Sequence, residues 1–103
     1  RDVVCVLTHD VKFDVPAIIG ALATSVGSIG VMGSRRTHDD RLERLREAGV
    51  TDEELARLRS PIGLDIGART PEETAISIVS EIIALRTGRS ARGLSATDGP
   101  IHD

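Results

Sequence analysis

The stretch GSRRT at residues 33–37 lies where a short apolar run ends and a helical pattern begins, and this junction decides the fold. Residues 28–32 before it are predicted to form a buried strand, and a helix is predicted to start at Thr37. In a parallel sheet, a turn from strand to helix directs backbone N–H groups and the positive end of the helix dipole toward the crevice above the strands. The junction therefore predicts an α/β sheet with a turn that faces a ligand.

The residue types in this turn suit an anion. Gly33 lets the backbone approach a ligand closely, and Arg35 and Arg36 supply paired donors for a phosphate or a carboxylate. The alternative is that both arginines cap a neighbouring helix C-terminus or pair with acidic groups at the surface. The turn alone leaves both interpretations open.

Composition excludes a nucleic-acid partner. The chain has 103 residues, enough for one domain or half of a larger one. Phe13 is the only aromatic residue, so no surface for stacking bases is present. The net charge is −3 and the isoelectric point is about 5.6, which leaves no basic footprint for a phosphate backbone.

The single cysteine bears on the compartment. Cys5 lies in the apolar run at residues 3–7, where we expect a small buried core residue. A lone thiol cannot form an internal disulfide, which favours the reducing cytoplasm. No apolar stretch approaches the roughly 20 residues that cross a membrane, and no signal peptide is recognisable. We therefore expect a cytoplasmic protein without a membrane partner.

The first half of the chain alternates strands and helices. A strand buried on both faces is predicted at residues 3–7, followed by a helix that Asp14 caps, with Pro16 in its first turn. Gly27 is predicted to close this helix before the strand at residues 28–32. The helix from Thr37 is predicted to end at Gly49.

The second half repeats the alternation. Thr51 opens a capping box, and the short helix after it carries Leu55 and Leu58 on its apolar face. A third strand is predicted at residues 61–67. Thr70 opens a second capping box, and the helix to about residue 86 has so wide an apolar surface that we expect a further element above it. Gly88 ends this helix.

This order of elements is typical of a doubly wound parallel sheet in three α/β/α layers. Residues 1–88 are predicted to form the carboxyl-terminal part of the domain, and residues 89–103 an irregular tail. Three strands are few for such a sheet, and Arg1 leads almost directly into a strand. We therefore expect a missing amino-terminal segment or a partner chain, with a homo-oligomer as one form, to cover the open edge.

Polar residues follow all three predicted strands, where parallel sheets bind ligands. His9 and Asp10 can form an acid–base pair, or His9 is a structural hydrogen-bonding residue. Asp65 can receive a ligand amine or hydroxyl, or it fixes the turn at Gly67. The three histidines lack a metal-ligand spacing, and no G-x-G-x-x-G motif of a dinucleotide fold occurs. The candidate binding residues are Thr8, His9, Asp10, Gly33, Ser34, Arg35, Arg36, Asp65 and Gly67.

Taken together, these motifs resemble the carboxyl-terminal Rossmann-like domain of the XdhC/CoxI family. The resemblance covers nearly the whole chain. The residues that carry it are Thr8-His9-Asp10, Lys12-Phe13-Asp14, the stretch at residues 33–37, Gly63-Leu64-Asp65-Ile66-Gly67-Ala68, Thr70-Pro71-Glu72-Glu73 and the ending Gly99-Pro100-Ile101-His102.

The resemblance implies an accessory factor that matures molybdenum hydroxylases such as xanthine dehydrogenase and carbon monoxide dehydrogenase. Such a factor binds molybdenum cofactor, assists its sulfuration and delivers it to the apo-enzyme, so the implied partners are an apo molybdenum hydroxylase and a sulfurtransferase. The family also has an amino-terminal domain with a cysteine motif, which this chain lacks. The turn at residues 33–37 would hold the phosphate of the pterin, and Asp65, His9 or Asp10 would meet its amines and hydroxyls.

Two alternatives stay open at this point. One is an NAD(P)-binding oxidoreductase domain on the same fold, which predicts a glycine-rich turn elsewhere in the protein. The other is a structural dimerisation module that binds neither a nucleotide nor a pterin.

Overall fold

A computed structural model describes residues 2–7 and 10–102 of the chain. The elements, in chain order, are β1 (Val3–Val6), α1 (Val11–Leu22), β2 (Ser28–Val31), α2 (Arg35–Glu47), α3 (Asp52–Leu55), β3 (Leu58–Arg59), α4 (Pro71–Thr87) and a 3₁₀ turn (Leu94–Ala96). The predicted division into residues 1–88 and 89–103 stays a prediction.

The three strands form one parallel sheet in the order β1-β2-β3. Val4 pairs with Ile29, and Ile29 pairs with Leu58. Because the strands are parallel, their carboxyl ends lie at the same edge of the sheet. This arrangement confirms the predicted fold class, which is part of a Rossmann-like α/β domain with a parallel sheet.

The core lies between the sheet and the first two long helices. Ile29 and Val31 of β2 pack with Ile18 of α1 and Leu45 of α2, and all four are completely buried. Gly30 faces the opposite side of the sheet, because side chains alternate along a strand. On that side a Cβ at Gly30 would lie 3.0 Å from Cδ1 of Ile62, so the loop after β3 covers the second face.

The third strand lies earlier than predicted. The pairing residues are Leu58 and Arg59, whereas residues 61–67 form a loop. Gly63 and Gly67 have φ values of +135° and +70°, which a strand does not accommodate. The assignment of Leu58 to the short helix is also wrong, since α3 ends at Leu55 and Leu58 is buried beside β2.

The first helix also departs from the prediction. It begins at Val11, and its N-cap is Asp10, whose carboxylate accepts a hydrogen bond from the Lys12 N–H at 2.9 Å. Asp14 lies inside the helix and is completely buried, so it is not the cap. Pro16 is likewise interior rather than in the first turn.

The same helix ends at Leu22, well before Gly27. The guanidinium of Arg57 donates hydrogen bonds to the carbonyls of Leu22, Thr24 and Val26, at 3.2 Å and 2.9 Å for the first two. The Leu22 carbonyl is one that the helix end leaves without an intrahelical partner, and the carbonyls of Thr24 and Val26 lie in the loop after the helix. Hydrogen bonds from Arg57, and not the predicted glycine, therefore mark the end of α1.

Both capping boxes are present as predicted. The hydroxyls of Thr51 and Thr70 accept hydrogen bonds from the N–H groups of Glu54 and Glu73, and each glutamate bonds back to the cap. Gly88 ends α4 with a φ of +75°. Signals in the local sequence therefore correctly predicted the starts of α3 and α4 and the end of α4.

Several apolar side chains are more exposed than the sequence predicts. Val4 of β1 is 39% exposed and Cys5 is half-buried, so β1 is not buried on both faces. Ile76, Val79 and Ile83 form an exposed apolar face on α4. Within residues 2–7 and 10–102, β1 pairs with β2 alone, so no described strand is hydrogen-bonded to its other edge. No helix in this part of the chain is long and apolar enough to span a membrane.

Candidate functional site

An open cleft of about 450 Å³ lies where β2 and β3 end. Its volume is within the range of about 300–1,000 Å³ that small-molecule sites occupy. Residues from both strand ends and from the loop toward α4 surround it, among them Gly33, Arg35, Ser60, Gly63, Asp65 and Gly67. The cleft is therefore the crevice at which α/β sheets bind ligands.

The structure brings four of the predicted site residues to this cleft, namely Gly33, Arg35, Asp65 and Gly67. The others lie elsewhere. Ser34 and Asp10 are helix caps, and Arg36 is exposed outside the lining. Thr8 and His9 lie outside the described residues. Binding by any of these residues stays a prediction.

The start of α2 carries hydrogen-bond donors and positive charge at the cleft. The helix begins at Arg35, two residues earlier than predicted, because the Ser34 hydroxyl accepts a hydrogen bond from the Thr37 N–H at 3.2 Å. The N–H groups of Arg35 and Arg36 have no acceptor within the helix, and the positive end of the helix dipole lies beside them. The Arg35 side chain adds a full positive charge at the cleft wall.

Position 33 requires glycine because of its backbone angle and because the Arg41 guanidinium lies close behind it. Its φ is +150°, and a Cβ at this position would lie 3.2 Å from Nη2 of Arg41. Arg41 is completely buried, and its guanidinium donates hydrogen bonds to the Asp14 carboxylate at 2.7 Å, to the Met32 carbonyl at 3.1 Å and to the Ser60 hydroxyl at 2.5 Å. Sequence reasoning missed Arg41, because it looks like one more polar residue on an arginine-rich helix.

The loop from Pro61 to Gly67 is fastened to α4. The Gly63 N–H donates to the Glu81 carboxylate at 2.7 Å. The Ser77 hydroxyl donates to the Leu64 carbonyl at 2.7 Å, and the Leu64 N–H donates to the Ser77 carbonyl at 3.2 Å. These contacts hold the far wall of the cleft, including Asp65, against the longest helix.

The cleft has a positively charged side chain on one side and a negatively charged side chain on the other. Arg35 lies on the β2 side, and the exposed carboxylate of Asp65 lies on the β3 side. Burial lowers the pKa of His38 below its ordinary value, and the nearby charges of Arg41 and Arg35 lower the pKa further, against the opposing effect of Asp39. The lowered pKa favours the neutral imidazole of His38, whereas Arg35 brings a positive charge to the cleft. No cluster of metal-ligating side chains occurs among the described residues.

A slightly larger cavity of about 530 Å³ lies between α4 and the tail, where Ile83, Arg89 and Ile101 contribute to its lining. It contains no strand end and no helix N-terminus. The smaller cleft is the candidate site, since it combines a helix N-terminus with the ends of two parallel strands.

A parallel sheet with a ligand cleft at its strand ends defines a Rossmann-like binding domain. Residues 1–82 match the family model of the XdhC Rossmann domain, and the chain belongs to that family. The resemblance predicted from the sequence motifs is thus confirmed.

The relatives come from several bacteria. Over 83 residues, 81% of the chain, it is 34% identical to the molybdenum cofactor insertion chaperone PaoD of Escherichia coli K12. Over 86 residues, 84% of the chain, it is 35% identical to a protein of Bacillus subtilis 168 that is named as a probable subunit of xanthine dehydrogenase. It is also 47% identical to the uncharacterized protein YqeB of Escherichia coli K12 over 58 residues, 56% of the chain.

A solved structure has the same fold. The crystal structure of a xanthine dehydrogenase from Bacillus halodurans aligns with 93% of this chain at a TM-score of 0.64 and 32% sequence identity. The chain covers 26% of that structure, 26% of PaoD, 24% of the Bacillus subtilis relative and 11% of YqeB. The chain thus spans about a quarter or less of the proteins that it matches.

Proposed function

We propose that this chain is the cofactor-holding part of an accessory factor that binds molybdenum cofactor, assists its sulfuration and inserts it into an apo molybdenum hydroxylase such as xanthine dehydrogenase. The observation that carries the proposal is the alignment of 81% of the chain with a relative named as a molybdenum cofactor insertion chaperone. The cleft at the ends of β2 and β3 supplies the corresponding site.

The donors around the cleft fit the cofactor, which is a pterin with a phosphate. Arg35 and the first N–H groups of α2 suit the phosphate, because a guanidinium and a helix start both stabilise an anion. Asp65 suits the pterin amines, because an ionised carboxylate only accepts hydrogen bonds. The cofactor is cargo here, and its molybdenum chemistry belongs to the receiving enzyme.

Two sets of relatives' names bear on the role. One names an insertion chaperone, and others name a xanthine dehydrogenase or a subunit of one. An NAD(P)-binding oxidoreductase domain is less favoured, because the chain matches the XdhC family model and a relative that is named as an insertion chaperone. The accessory role agrees better with an open cleft that holds a cargo and releases it to a partner.

The uncovered surfaces support a partner. The apolar face of Ile76, Val79 and Ile83 and the free edge of β1 both favour coverage by protein. An amino-terminal segment, a second copy of the chain or the receiving hydroxylase would fit there. A sulfurtransferase in the cytoplasm would supply the sulfur.

An insertion assay tests this function. The intact protein is mixed with an apo molybdenum hydroxylase, molybdenum cofactor, a sulfurtransferase and its sulfur donor, and the cofactor content and activity of the repurified hydroxylase are followed with time. We expect insertion at least about tenfold faster than without the protein or with serum albumin instead. Equal rates would contradict the proposal, and reduction of NAD(P)+ by the protein alone, with a hydroxylase substrate as the electron donor, would support the oxidoreductase.

A further inference from the structure

Arg41 joins three segments that meet under the cleft. Its guanidinium holds the Asp14 carboxylate of α1, the Met32 carbonyl at the end of β2 and the Ser60 hydroxyl after β3. Met32 directly precedes Gly33, and Ser60 lines the cleft. One buried side chain on α2 therefore touches the backbone before one cleft wall and a side chain of the other.

Stability alone does not account for this arrangement. Moving two charges out of water costs more than their attraction often returns, and well-packed apolar residues are frequently as stable as a buried ion pair. Arg41 and Asp14 are both 0% exposed, and the Nε atom of Arg41 is buried without a hydrogen-bond partner. The arginine thus has an unfavourable burial, while two of its bonds go to segments that shape the cleft.

The fork of the guanidinium makes the connection directional. Nη2 bonds to Asp14 and Met32, and Nη1 bonds to Ser60. A lysine has one charged nitrogen on a flexible stem and cannot reproduce a planar fork. Nη2 also lies 3.2 Å from the position of a Cβ at Gly33, so the turn rests on the guanidinium itself.

We infer that Arg41 is a positioning residue for the cofactor cleft: its guanidinium fixes the turn at residues 33–37 and the loop at residues 60–64 relative to each other. The inference rests on the proposed function for what the cleft holds, but the positioning itself does not. Arg41 does not line the cleft, and it acts through Met32, Gly33 and Ser60.

Two measurements on the intact protein test the inference separately from the proposed function. Amide hydrogen exchange is measured without cofactor for Arg41→Lys, Ser60→Ala and the control Arg44→Lys, which lies on the exposed face of the same helix. We expect exchange at residues 33–37 and 60–64 to rise at least about tenfold in Arg41→Lys, and at residues 60–64 in Ser60→Ala, with Arg44→Lys unchanged. Titration with molybdenum cofactor is then expected to show a Kd at least about tenfold higher for Arg41→Lys.

The outcomes separate cleanly. If folded Arg41→Lys keeps wild-type exchange in both segments and wild-type affinity, Arg41 is only structural and the inference fails. If Arg41→Lys does not fold, Ser60→Ala decides, and wild-type exchange at residues 60–64 in that variant overturns the inference. If the wild-type protein does not bind cofactor, the proposed function fails, whereas the exchange result still decides whether Arg41 positions the two segments.

Discussion

Nη2 of Arg41 lies 2.7 Å from Oδ2 of Asp14, and both side chains are completely excluded from solvent. The pair joins α2 to α1 beneath the turn at residues 33–37 that borders the cleft. Its two charges are separated by 27 positions in the sequence, so the contact is a consequence of the fold and not of local helix geometry.

Removal of the Asp14 charge should be costly. Asp14→Asn leaves the guanidinium of Arg41 buried without its counter-charge, and we expect the free energy of unfolding to fall by about 3 kcal/mol in urea denaturation. Asp40→Asn is the matched control, because the pair of Asp40 and Arg44 is about half exposed and is expected to contribute less than about 0.5 kcal/mol. Equal losses in the two variants would show that the buried pair has no special energetic role.

Loss of the Arg57 guanidinium should lower the stability of the fold. Arg57→Ala leaves the carbonyls of Leu22, Thr24 and Val26 without its guanidinium, and we expect a loss of about 2 kcal/mol in the free energy of unfolding. Arg57→Lys should recover only part of it, since an ammonium cannot reach all three carbonyls together. Arg36→Ala, at an exposed position, should change stability by less than about 0.5 kcal/mol. A small effect of Arg57→Ala would refute the assignment of Arg57 as the cap of α1.

Gly63 has both a steric and a conformational requirement. Its φ is +135°, and a Cβ would lie 2.7 Å from the Ser77 hydroxyl oxygen, so Gly63→Ala should lower the free energy of unfolding by about 2 kcal/mol or more. At Gly67, with φ +70° and open space around it, alanine should cost about 1 kcal/mol.

A double-mutant cycle isolates the clash. Ser77→Ala removes the hydroxyl, so Gly63→Ala should cost about 1 kcal/mol less in that background than in the wild type. Additive losses, measured by urea denaturation, would mean that the strain comes from the backbone angle alone.

Glu73 should make stability depend on acid. Hydrogen bonds from the N–H groups of Arg69 and Thr70 lower the pKa of Glu73 below its ordinary value of about 4.5. The folded state therefore binds the proton less readily than the unfolded state, so the stabilisation is complete above about pH 4.5 and is lost as the pH falls through the lower folded pKa.

The test compares urea midpoints between pH 7 and acid for the wild type, Glu73→Gln and Glu72→Gln. Glu73→Gln should lose less stability on acidification than the wild type, because its amide does not titrate, and Glu72→Gln should follow the wild type. Parallel curves for Glu73→Gln and the wild type would contradict the role of the carboxylate.

Local signals in the sequence predicted much of the fold. The capping boxes at Thr51 and Thr70, the glycine at position 88 and the strand at residues 28–32 all act within a few residues, so pattern reasoning found them. The strand-to-helix turn was predicted for the same reason, although Ser34 starts α2 two residues earlier than expected.

Long-range contacts produced the errors. Aspartate is a common helix cap, but Asp14 lies in the core, where it pairs with Arg41 of another helix. Gly27 looks like a helix end, but Arg57 ends α1 from 31 residues beyond Val26. Residues 61–67 look like a strand, but Leu58 and Arg59 reach β2 first. In each case the contact that decides the structure is made by a residue distant in the sequence, so a local sequence pattern does not predict it.

The cleft shows the same division. The sequence predicted binding residues at the strand ends, and four of them, Gly33, Arg35, Asp65 and Gly67, line one cleft in the structure. The sequence alone did not predict that Arg35 lines the cleft and Arg36 does not, because the directions of adjacent helical side chains follow from where the helix starts. That difference provides the sharpest control for the account.

We propose that the guanidinium of Arg35 holds the phosphate of molybdenum cofactor at this cleft, and calorimetric titration of the intact protein with the cofactor is the decisive measurement. Arg35→Ala is compared with Arg36→Ala, which removes the same charge one residue away, outside the cleft lining. The account predicts a Kd at least about tenfold higher for Arg35→Ala and within about twofold of the wild type for Arg36→Ala. Equal affinities for the two variants would contradict it.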